Sequence, residues 1–534
     1  MEKILVVNLG GQYAHLIARR IREIGAYAEI ASYDSVLEVA KSDEVKAIVL
    51  SGGPASVYEP NSPDLPVDLL YLGKPVLGIC FGHQWIAKKL GGVVERGKGE
   101  YGKTMVRILS SDPLFEGWEA EEVVWMSHSD YVKEVPSGFQ VLAVSENGYV
   151  AAMRSGHIYG VQFHPEVRHT VKGIRLLENF VRKVAGIKSV WVPEEQVGKI
   201  VEEIKAMVKE GIVVVGVSGG VDSTVTAVLL HMALGSRVKA VFIDHGLFRE
   251  GEPEKAVQLL RSVGIDVLYI DARERFLKKL DGVSDCEEKR RIVGETFAEV
   301  FTEVVAGIPN AKYLAQGTLY PDVIESGAVK GADRIKSHHN VGGIPPWFTL
   351  ELIEPLRDFY KDEVRRIAKS LGLPDEVVYR HPFPGPGLAV RIIGPFTLEK
   401  LEIVRRATKI VEEELERAGL LRKVWQAFAT VGEDKWVGVK GDRRAEGYIV
   451  TVRVVESEDA MTADWAKIPH DVLDKISSRI ASEIPHVTMV TYAITSKPPQ
   501  QLSRVKICGR PYRLRRHTPT RDRGCVRRAG NRGC

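Results

Sequence analysis

The chain has 534 residues, of which 44% are apolar and 27% charged, and its formal net charge is +4. This length exceeds what one hydrophobic core usually spans, so we expect several domains, three being the natural number. The composition is that of a globular, water-soluble protein, and the sequence has neither a secretory signal nor an apolar run of membrane-spanning length. These features exclude a membrane or secreted class. Five cysteines without a Cys-x-x-Cys pair agree with a cytoplasmic location.

The charge is unevenly distributed along the chain. Residues 500–534 contain eleven Lys and Arg and one acidic residue, a net of +10, so the residues before them carry −6. The mildly acidic body gives no reason to expect that nucleic acid is required. The basic tail has two interpretations that stay open: a disordered basic arm that binds RNA or another anion, or the product of a frameshift.

The first 187 residues alternate short apolar segments with amphipathic ones. Residues 4–7, 47–50 and 75–79 are predicted strands, and residues 16–22 are a predicted helix. This alternation predicts an α/β domain with a doubly wound, mostly parallel sheet. Its site is expected at the carboxyl ends of the strands.

A cysteine lies between two glycines where a predicted strand meets a predicted helix. Residues 78–84 read GICFGHQ, and the helix is expected to continue through residues 85–90. This is the arrangement of a nucleophile elbow with a thiol in place of the usual hydroxyl. At a helix N-terminus the dipole favours the reactive thiolate of Cys80. A lone apolar cysteine is more often an inert core residue, so this interpretation needs a base nearby.

Two further segments supply that base and an oxyanion site. His164 follows a predicted strand in the segment GVQFHPE, with Glu166 two residues later. This pair can act as a general base and its orienting carboxylate, although a lone His-Pro-Glu is more often a capped turn. Residues 51–54 read SGGP after another strand and offer main-chain N–H groups to an oxyanion.

Together these segments resemble the class I glutamine amidotransferases across the first domain. The resemblance implies that Cys80 attacks the side-chain amide of L-glutamine, that His164 shuttles the proton and that Glu166 orients His164. It also implies contacts to the oxyanion or to glutamine from Gly52, Gly53, Phe81, Gln84, His128 and Asp130. The family usually has glycine at the position of Ser129.

A second glycine-rich turn is of a different kind. Residues 216–223 read GVSGGVDS. They follow an apolar β-branched segment at 212–215 and precede a segment at 225–230 whose apolar residues predict a buried helix. Glycines let the main chain approach a phosphate, and a helix start presents unpaired N–H groups. A bare Ser-Gly-Gly is more often a tight turn, but SGGxDS in this setting resembles the PP-loop of ATP pyrophosphatases. The resemblance implies ATP binding by Ser218, Gly219, Gly220, Val221, Asp222 and Ser223.

Asp222 has two possible tasks, as a ligand of Mg²⁺ or as a cap of the helix. A different segment, residues 97–104, reads GKGEYGKT and matches the Walker A pattern letter for letter. That pattern needs a helix after it, whereas residues 104–109 are rich in β-formers. We therefore predict a glycine-rich hairpin tip at residues 97–104 and no nucleotide site.

The rest of the chain predicts two more domains. Residues 188–384 form a second doubly wound α/β domain, and residues 382–387, rich in proline and glycine, mark its end. Its predicted strands are residues 213–217, 238–244 and 267–271. Residues 385–499 are a smaller α+β domain, with a predicted strand at 448–454, which could complete its core through a symmetric partner.

The whole chain to about residue 499 resembles the glutamine-hydrolysing GMP synthases. Further stretches carry this resemblance, among them FIDHGLFR at 242–249, EEKRRIVG at 287–294 and RHPFPGPGL at 380–388. The implied reaction converts XMP, ATP, glutamine and water into GMP, AMP, pyrophosphate and glutamate. The resemblance also implies Mg²⁺ with the ATP, no tightly bound organic cofactor, and a homodimer formed through the third domain.

By the same resemblance, four residues would contact XMP: Arg290, Gln426, Asp442 and Lys497. Their chemistry agrees, because Arg and Lys suit a phosphate while Asp and Gln suit a base edge or a ribose. Two rival interpretations fit the sequence less well. One is another adenylating amidotransferase, such as an NAD synthetase-like enzyme, whose cue would be a nitrilase-type glutaminase, which the elbow and the His-Pro-Glu pair do not resemble. The other is a non-catalytic nucleotide-binding protein whose basic arm docks on nucleic acid, which would require a broken Cys80 segment or PP-loop, whereas both are intact in the sequence.

Overall fold

The structure, a computed structural model, describes residues 1–11, 13–325, 350–440, 442–457 and 464–495. The chain folds as two compact units. The first comprises residues 1–243, 253–270 and 298–380. The second comprises residues 244–252, 271–297 and the described residues from 381 onward. The first unit includes residues on both sides of the predicted boundary at 187, and the domain boundaries stay predictions.

The first unit begins with a nine-stranded sheet in the order β2-β1-β3-β4-β9-β8-β7-β5-β6. The half from β2 to β9 is parallel, and the half from β9 to β6 is antiparallel. Apolar cores cover both faces, as expected for a doubly wound sheet. The elements are β1 Lys3–Asn8, α1 Ala14–Glu23, β2 Tyr27–Ser32, α2 Val36–Ala40, β3 Val45–Leu50, β4 Val76–Ile79, α3 Phe81–Lys89, β5 Val93–Ile108, β6 Glu121–Glu134, β7 Gln140–Ser145, β8 Val150–Ser155, β9 Ile158–Val161 and α4 Gly173–Asn179.

A second sheet follows in the order β12-β11-β10-β13-β14. The pairings of β10 with β11 and β13, and of β13 with β14, are parallel, and the predicted strands of this region are confirmed to within one residue. The elements are α5 Val197–Met207, β10 Ile212–Gly216, α6 Val221–Leu234, β11 Val238–Asp244, α7 Glu252–Ser262, β12 Val267–Asp271, α8 Arg273–Leu280, α9 Cys286–Ala306, β13 Ala311–Ala315, α10 Tyr320–Glu325, β14 Glu351–Ile353, α11 Lys361–Ser370 and α12 Asp375–Val378.

The second unit is an α+β structure built on a long antiparallel hairpin. β15 pairs with β16, which also pairs with β17 and, in parallel, with β18. Helix α13 packs on β15 and is capped by Thr397, whose hydroxyl accepts from the main-chain N–H of Lys400. The elements are α13 Leu398–Arg417, β15 Gln426–Lys440, β16 Arg443–Glu456, β17 Asp464–Trp465, α14 His470–Glu483 and β18 Val487–Tyr492.

A buried ion pair joins the two sheet regions of the first unit. Arg22 on α1 contacts Glu363 on α11 at 3.0 Å, and their side chains are 2% and 4% exposed. Trp191 also donates to Glu363, so the carboxylate has a partner on each oxygen. A buried pair of this kind is costly to break, because the remaining charge would stay desolvated.

The glycine-rich segment at residues 97–104 lies inside β5, so the predicted hairpin tip is wrong. The register of β5 against β6 shifts between Arg96 and Glu100, and the glycines between them form a bulge. Gly99 has a φ of +76°, which favours glycine. Glycine marks both turns and bulges, and the sequence pattern alone did not distinguish them. Because a strand and not a helix continues to Ile108, the rejection of a Walker A site stands.

In the part of the chain that the structure describes, we observe no helix with both the length and the apolar character that a membrane span requires.

Candidate active sites

Cys80 occupies a strained turn between β4 and α3. Its φ of +51° and ψ of −104° are rare for a residue with a side chain, and such strain concentrates at functional sites. The flanking glycines are required by space: a Cβ on Gly78 would lie 2.6 Å from the carbonyl oxygen of Gly82. A Cβ on Gly82 would lie 2.6 Å from the carbonyl oxygen of Leu50. The turn is therefore a nucleophile elbow in geometry as well as in sequence.

His164 and Glu166 meet the cysteine inside the protein. His164 Nδ1 lies 2.7 Å from Glu166 Oε1, and both side chains are buried. His164 and Cys80 both surround Gly52. A Cβ on Gly52 would lie 3.0 Å from His164 Cε1 and 3.6 Å from Cys80 Cβ. The three predicted side chains thus form one contiguous constellation in the order Cys, His, Glu.

The electrostatics of the site favour a protonated imidazole. Burial alone would lower the pKa of His164, but the carboxylate of Glu166 and the sulfur of Cys80 outweigh it. The pKa of His164 is therefore raised well above its ordinary value. A histidine that holds its proton beside a cysteine stabilises the thiolate, which is the nucleophilic form.

Sequence reasoning missed three residues that fix this histidine in place. Tyr13, at the start of α1, packs edge-on against the His164 ring at a centroid distance of 5.3 Å. Thr170 donates its hydroxyl to the main-chain carbonyl of His164 at 2.6 Å. Arg20 donates to the carbonyl oxygen of Glu166 at 3.2 Å. Tyr13 and Arg20 are far from His164 in the sequence, whereas Thr170 follows it by six residues, and no local pattern signals any of these contacts.

The predicted oxyanion residues converge on the elbow. Gly52 and Gly53 follow β3, and Phe81 opens α3, where main-chain N–H groups have no helical acceptor. A Cβ on Gly53 would lie 2.5 Å from the carbonyl oxygen of Leu9 and 3.5 Å from Phe81 Cγ. Only glycine therefore fits beside the elbow at this position.

The predicted glutamine-binding residues form a second buried group. Gln84 donates to the main-chain carbonyl of Asp130 at 2.6 Å and to Gln162 Oε1 at 3.2 Å. His128 Nδ1 lies 2.9 Å from the same carbonyl of Asp130. Asp130 Oδ2 is buried and has no hydrogen-bond partner among the described residues. A buried carboxylate oxygen of this kind suits a cationic group of a ligand.

The glycine-rich loop between β10 and α6 has its own geometry. Gly219 has a φ of +72°, and a Cβ on it would lie 2.7 Å from Ala256 Cβ. Gly220 caps α6 with an ordinary φ of −71°. Ser223 Oγ accepts from the main-chain N–H of Ser218 at 3.3 Å and donates to the carbonyl of Gly220 at 3.2 Å. Val221 begins the helix, whose N-terminus can receive an anion.

Asp222 is the candidate ligand for Mg²⁺. Its Oδ2 lies 3.0 Å from Lys361 Nζ, and its Oδ1 is a buried atom without a partner among the described residues. Those residues contain no group of three or more His, Cys, Asp or Glu that could hold a metal. A single carboxylate fits Mg²⁺ all the same, because this ion is usually held by one or two carboxylates together with phosphates of the substrate.

The predicted XMP contacts lie in the second unit or outside the described residues. Arg290 on α9 is half exposed and lies 4.0 Å from Glu287. Gln426 opens β15 and donates to the carbonyl of Pro382 at 2.7 Å. Asp442 is exposed between β15 and β16, with a φ of +61°. Lys497 lies outside the described residues, and the roles of all four stay predictions.

An elbow cysteine with a buried His–Glu pair, together with a glycine-rich strand-to-helix loop, defines a glutamine amidotransferase joined to a PP-loop domain. Three family models match the chain in that order: "Glutamine amidotransferase class-I" at residues 5–184, "NAD synthase" at 194–313 and "GMP synthase C terminal domain" at 413–503. The NAD synthase model matches only residues 194–313, which include the glycine-rich loop at residues 216–223.

Curated relatives cover nearly the whole chain. The "GMP synthase [glutamine-hydrolyzing]" of Pyrobaculum aerophilum is 76% identical over 94% of this chain and 99% of its own length. The proteins of the same name from Aeropyrum pernix and Aquifex aeolicus are 52% and 51% identical, each over 93% of this chain and 98% of their own. The chain belongs to the family of glutamine-hydrolysing GMP synthases.

Proposed function

We propose that this chain aminates XMP to GMP at the expense of ATP, with ammonia released from glutamine. The products besides GMP are AMP, pyrophosphate and glutamate. The observation that carries the proposal is the buried Cys80–His164–Glu166 constellation, in a chain of this family that also has a PP-loop. A glutaminase supplies ammonia, and an adenylating site supplies the activated oxygen that ammonia displaces.

In the glutaminase half, Cys80 attacks the side-chain amide of glutamine. His164 carries the proton to the leaving ammonia, and Glu166 keeps the imidazole oriented. The N–H groups of Gly53 and Phe81 stabilise the oxyanion. Asp130, whose Oδ2 is buried without a partner among the described residues, receives the α-ammonium group of glutamine. Water then releases glutamate from the thioester.

In the synthetase half, the loop of residues 218–223 grips the β- and γ-phosphates of ATP. The 2-oxygen of XMP attacks the α-phosphorus, pyrophosphate leaves, and ammonia then displaces AMP from the adenylyl-XMP intermediate. Mg²⁺ held by Asp222 and by the phosphates would neutralise charge on the departing pyrophosphate. Arg290, Gln426, Asp442 and Lys497 bind XMP.

We further propose that the protein is a cytoplasmic homodimer that requires no nucleic acid. The apolar side chains of Trp436, Val437 and Val439 on β15 are exposed, which supports an interface on the third domain. Light scattering should give twice the mass of one chain. A monomer at micromolar concentration would contradict the dimer without affecting the proposed reaction.

The test of the proposed function is release of pyrophosphate from ATP, measured with and without XMP. Glutamine and ammonium are compared as nitrogen sources. We expect release to depend on XMP with either source, together with GMP and AMP in equal amounts. Absence of pyrophosphate with both sources would overturn the synthetase assignment. Release of pyrophosphate with another acceptor in place of XMP would overturn the assignment of XMP as the substrate.

A further inference from the structure

The bulge at residues 97–99 buries one carboxylate, that of Glu100. Neighbouring side chains of β5 alternate between exposed and partly buried, but Glu100 is only 3% exposed. After the bulge it stands directly opposite His128 on β6. The glycine-rich segment that imitates a Walker A sequence therefore brings a carboxylate to the histidine of the glutamine-binding group.

Both oxygens of this carboxylate are engaged by protein donors. Glu100 Oε2 lies 3.0 Å from His128 Nε2, and Oε1 accepts from Asn147 Nδ2 at 2.8 Å. Because Glu100 is buried and already holds protein donors on both oxygens, we take it to act on the reaction indirectly. Any contribution that it makes to the reaction passes through its neighbours.

His128 joins Glu100 to the segment that His128 itself belongs to. Its Nδ1 lies 2.9 Å from the main-chain carbonyl of Asp130, which only accepts, so Nδ1 carries a hydrogen. Its Nε2 faces Glu100 Oε2. Burial raises the pKa of Glu100, but hydrogen bonds from His128, Ser145 and Asn147 outweigh it and lower the pKa below its ordinary value. Glu100 is therefore a carboxylate that faces the His128 ring.

A second histidine lies beside this pair without joining it. His83 on α3 is fully buried, and burial first, then His128, lower its pKa to about 3. His83 is therefore neutral and does not compete with His128 for Glu100. Asp130 contacts the ring through its main-chain carbonyl, so Glu100 is the carboxylate that pairs with His128.

The His128 ring holds a segment that touches both parts of the glutaminase site. Residues 127–130 carry the Ser127 carbonyl, which lies 3.8 Å from Cys80 Sγ, and the Asp130 carbonyl, which accepts from Gln84. If Glu100 no longer paired with the ring, one end of this bridge from β5 to β6 would be released. The carboxylate of Asp130 would then lose its alignment.

We propose that Glu100 is a positioning residue of the glutaminase: by pairing with His128 it aligns residues 127–130 to receive glutamine. This inference rests on the proposed function, because it assigns a task within the same site. Charge-assisted hydrogen bonds are the strong ones, so a single neutral substitution should have a measurable effect on glutamine binding.

The test compares Glu100→Gln with Glu95→Gln in the full-length protein. Glu95 is a matched control, because it lies on the same strand and pairs with Lys133 at 2.7 Å on the exposed side. For Glu100→Gln we expect the KM for glutamine to rise about tenfold, with kcat changed less than about threefold. GMP synthesis from ammonium should equal that of the wild type, and Glu95→Gln should match the wild type in every assay.

A spectroscopic readout separates positioning from mere structural support. In protein labelled with ¹⁵N-histidine, the ring-nitrogen signals of His128 are assigned by their loss in His128→Gln. Glu100→Gln should shift the Nε2 signal of His128, because this nitrogen faces Glu100. In the double variant Glu100→Gln/His128→Gln, the KM should be no higher than in His128→Gln alone, because residues that act as one unit are not additive.

Each contrary result has one meaning. A KM unchanged in Glu100→Gln, a His128 Nε2 signal unchanged by that substitution, or additive effects in the double variant would overturn the role of Glu100. A loss of ammonium-driven synthesis in Glu100→Gln would also overturn it, because the residue would then support the fold and not the site. A wild type that does not hydrolyse glutamine at all would instead overturn the proposed function.

Discussion

Two turns of this chain have the same local order, a buried strand, a sharp turn and a helix, and they differ at the apex. After β4 the apex is Cys80, with a φ of +51°; after β10 it is Gly219, with a φ of +72°. Both take the left-handed conformation, but only the first imposes it on a residue with a side chain. Glycines at 78 and 82 provide the space that this strain requires.

The difference follows from what each turn must present. A nucleophile is a side chain, so the elbow retains a strained cysteine and buries a histidine and a glutamate beside it. A phosphate site presents main-chain N–H groups, so the apex has no side chain and Ser218 stays exposed. The first site is built from side-chain contacts and the second from main-chain geometry. The predictions below test this distinction, beginning with the largest effect.

Replacing Cys80 with alanine removes the nucleophile but not the turn, since alanine is smaller than cysteine. We expect glutamine-driven GMP synthesis to fall by at least roughly 10⁴-fold, because a missing nucleophile is not replaced by another group. Ammonium-driven synthesis should stay at the wild-type rate. Steady-state assays with each nitrogen source measure both, and loss of both activities would mean that the two sites are not chemically separable.

Replacing Glu166 with glutamine removes the carboxylate that raises the pKa of His164. A raised pKa keeps the imidazole protonated at neutral pH, so the substitution should deplete the thiolate–imidazolium pair there and have less effect at alkaline pH. Alkylation of Cys80 by iodoacetamide should therefore slow near neutrality. The kcat/KM for glutamine should fall roughly 10³-fold. An alkylation profile identical to that of the wild type would contradict the proposed state of the pair.

Replacing Gly219 with alanine tests the main-chain site. The new Cβ would lie 2.7 Å from Ala256 Cβ and 2.8 Å from Arg380 Nη1, so the loop must move. XMP-dependent pyrophosphate release should fall roughly 10- to 100-fold, while glutaminase activity is retained. Gly235→Ala is the control, because its φ of +58° carries similar strain with nothing within 4 Å. Equal losses in both variants would assign the effect to strain and not to the loop.

The smallest effect is expected at Ser223, whose hydroxyl bridges Ser218 and Gly220. Ser223→Ala should lower kcat/KM for ATP about three- to tenfold, because one hydrogen bond that shapes the loop is lost. The adjacent Thr224 has a buried hydroxyl without a partner among the described residues, so Thr224→Val should leave ATP use unchanged. A larger loss in Thr224→Val than in Ser223→Ala would show that packing, not the bridge, shapes the turn.

The sequence predicted those parts of the two sites that are encoded locally. The elbow and the glycine-rich loop each lie in one short segment between a strand and a helix, and their residue types follow from geometry. The strands of the two α/β regions were likewise predictable from apolar segments, with ends shifted by at most two residues, whereas β16 begins five residues before the strand predicted at 448–454. The bounds differ because hydrogen-bonded ladders extend past the apolar residues that reveal them.

Contacts between distant segments were not predictable in this way. Lys361 reaches Asp222 across 139 residues, and Arg20 reaches the carbonyl oxygen of Glu166 across 146. The sequence analysis did not identify Glu100, because its glycine-rich surroundings were interpreted as a hairpin tip. Only the pairing register of β5 with β6 brings it to His128. Residues 500–534 lie outside the described residues, and both interpretations of the tail stay predictions.

The central claim is that the oxygen on C2 of XMP attacks the α-phosphorus of ATP held by the loop at residues 218–223. The most direct test uses XMP labelled with ¹⁸O at that oxygen, with glutamine as nitrogen source and mass analysis of the AMP formed. We predict that the label passes quantitatively to the phosphate of AMP while unlabelled pyrophosphate is released. Unlabelled AMP, or label in pyrophosphate, would contradict the account.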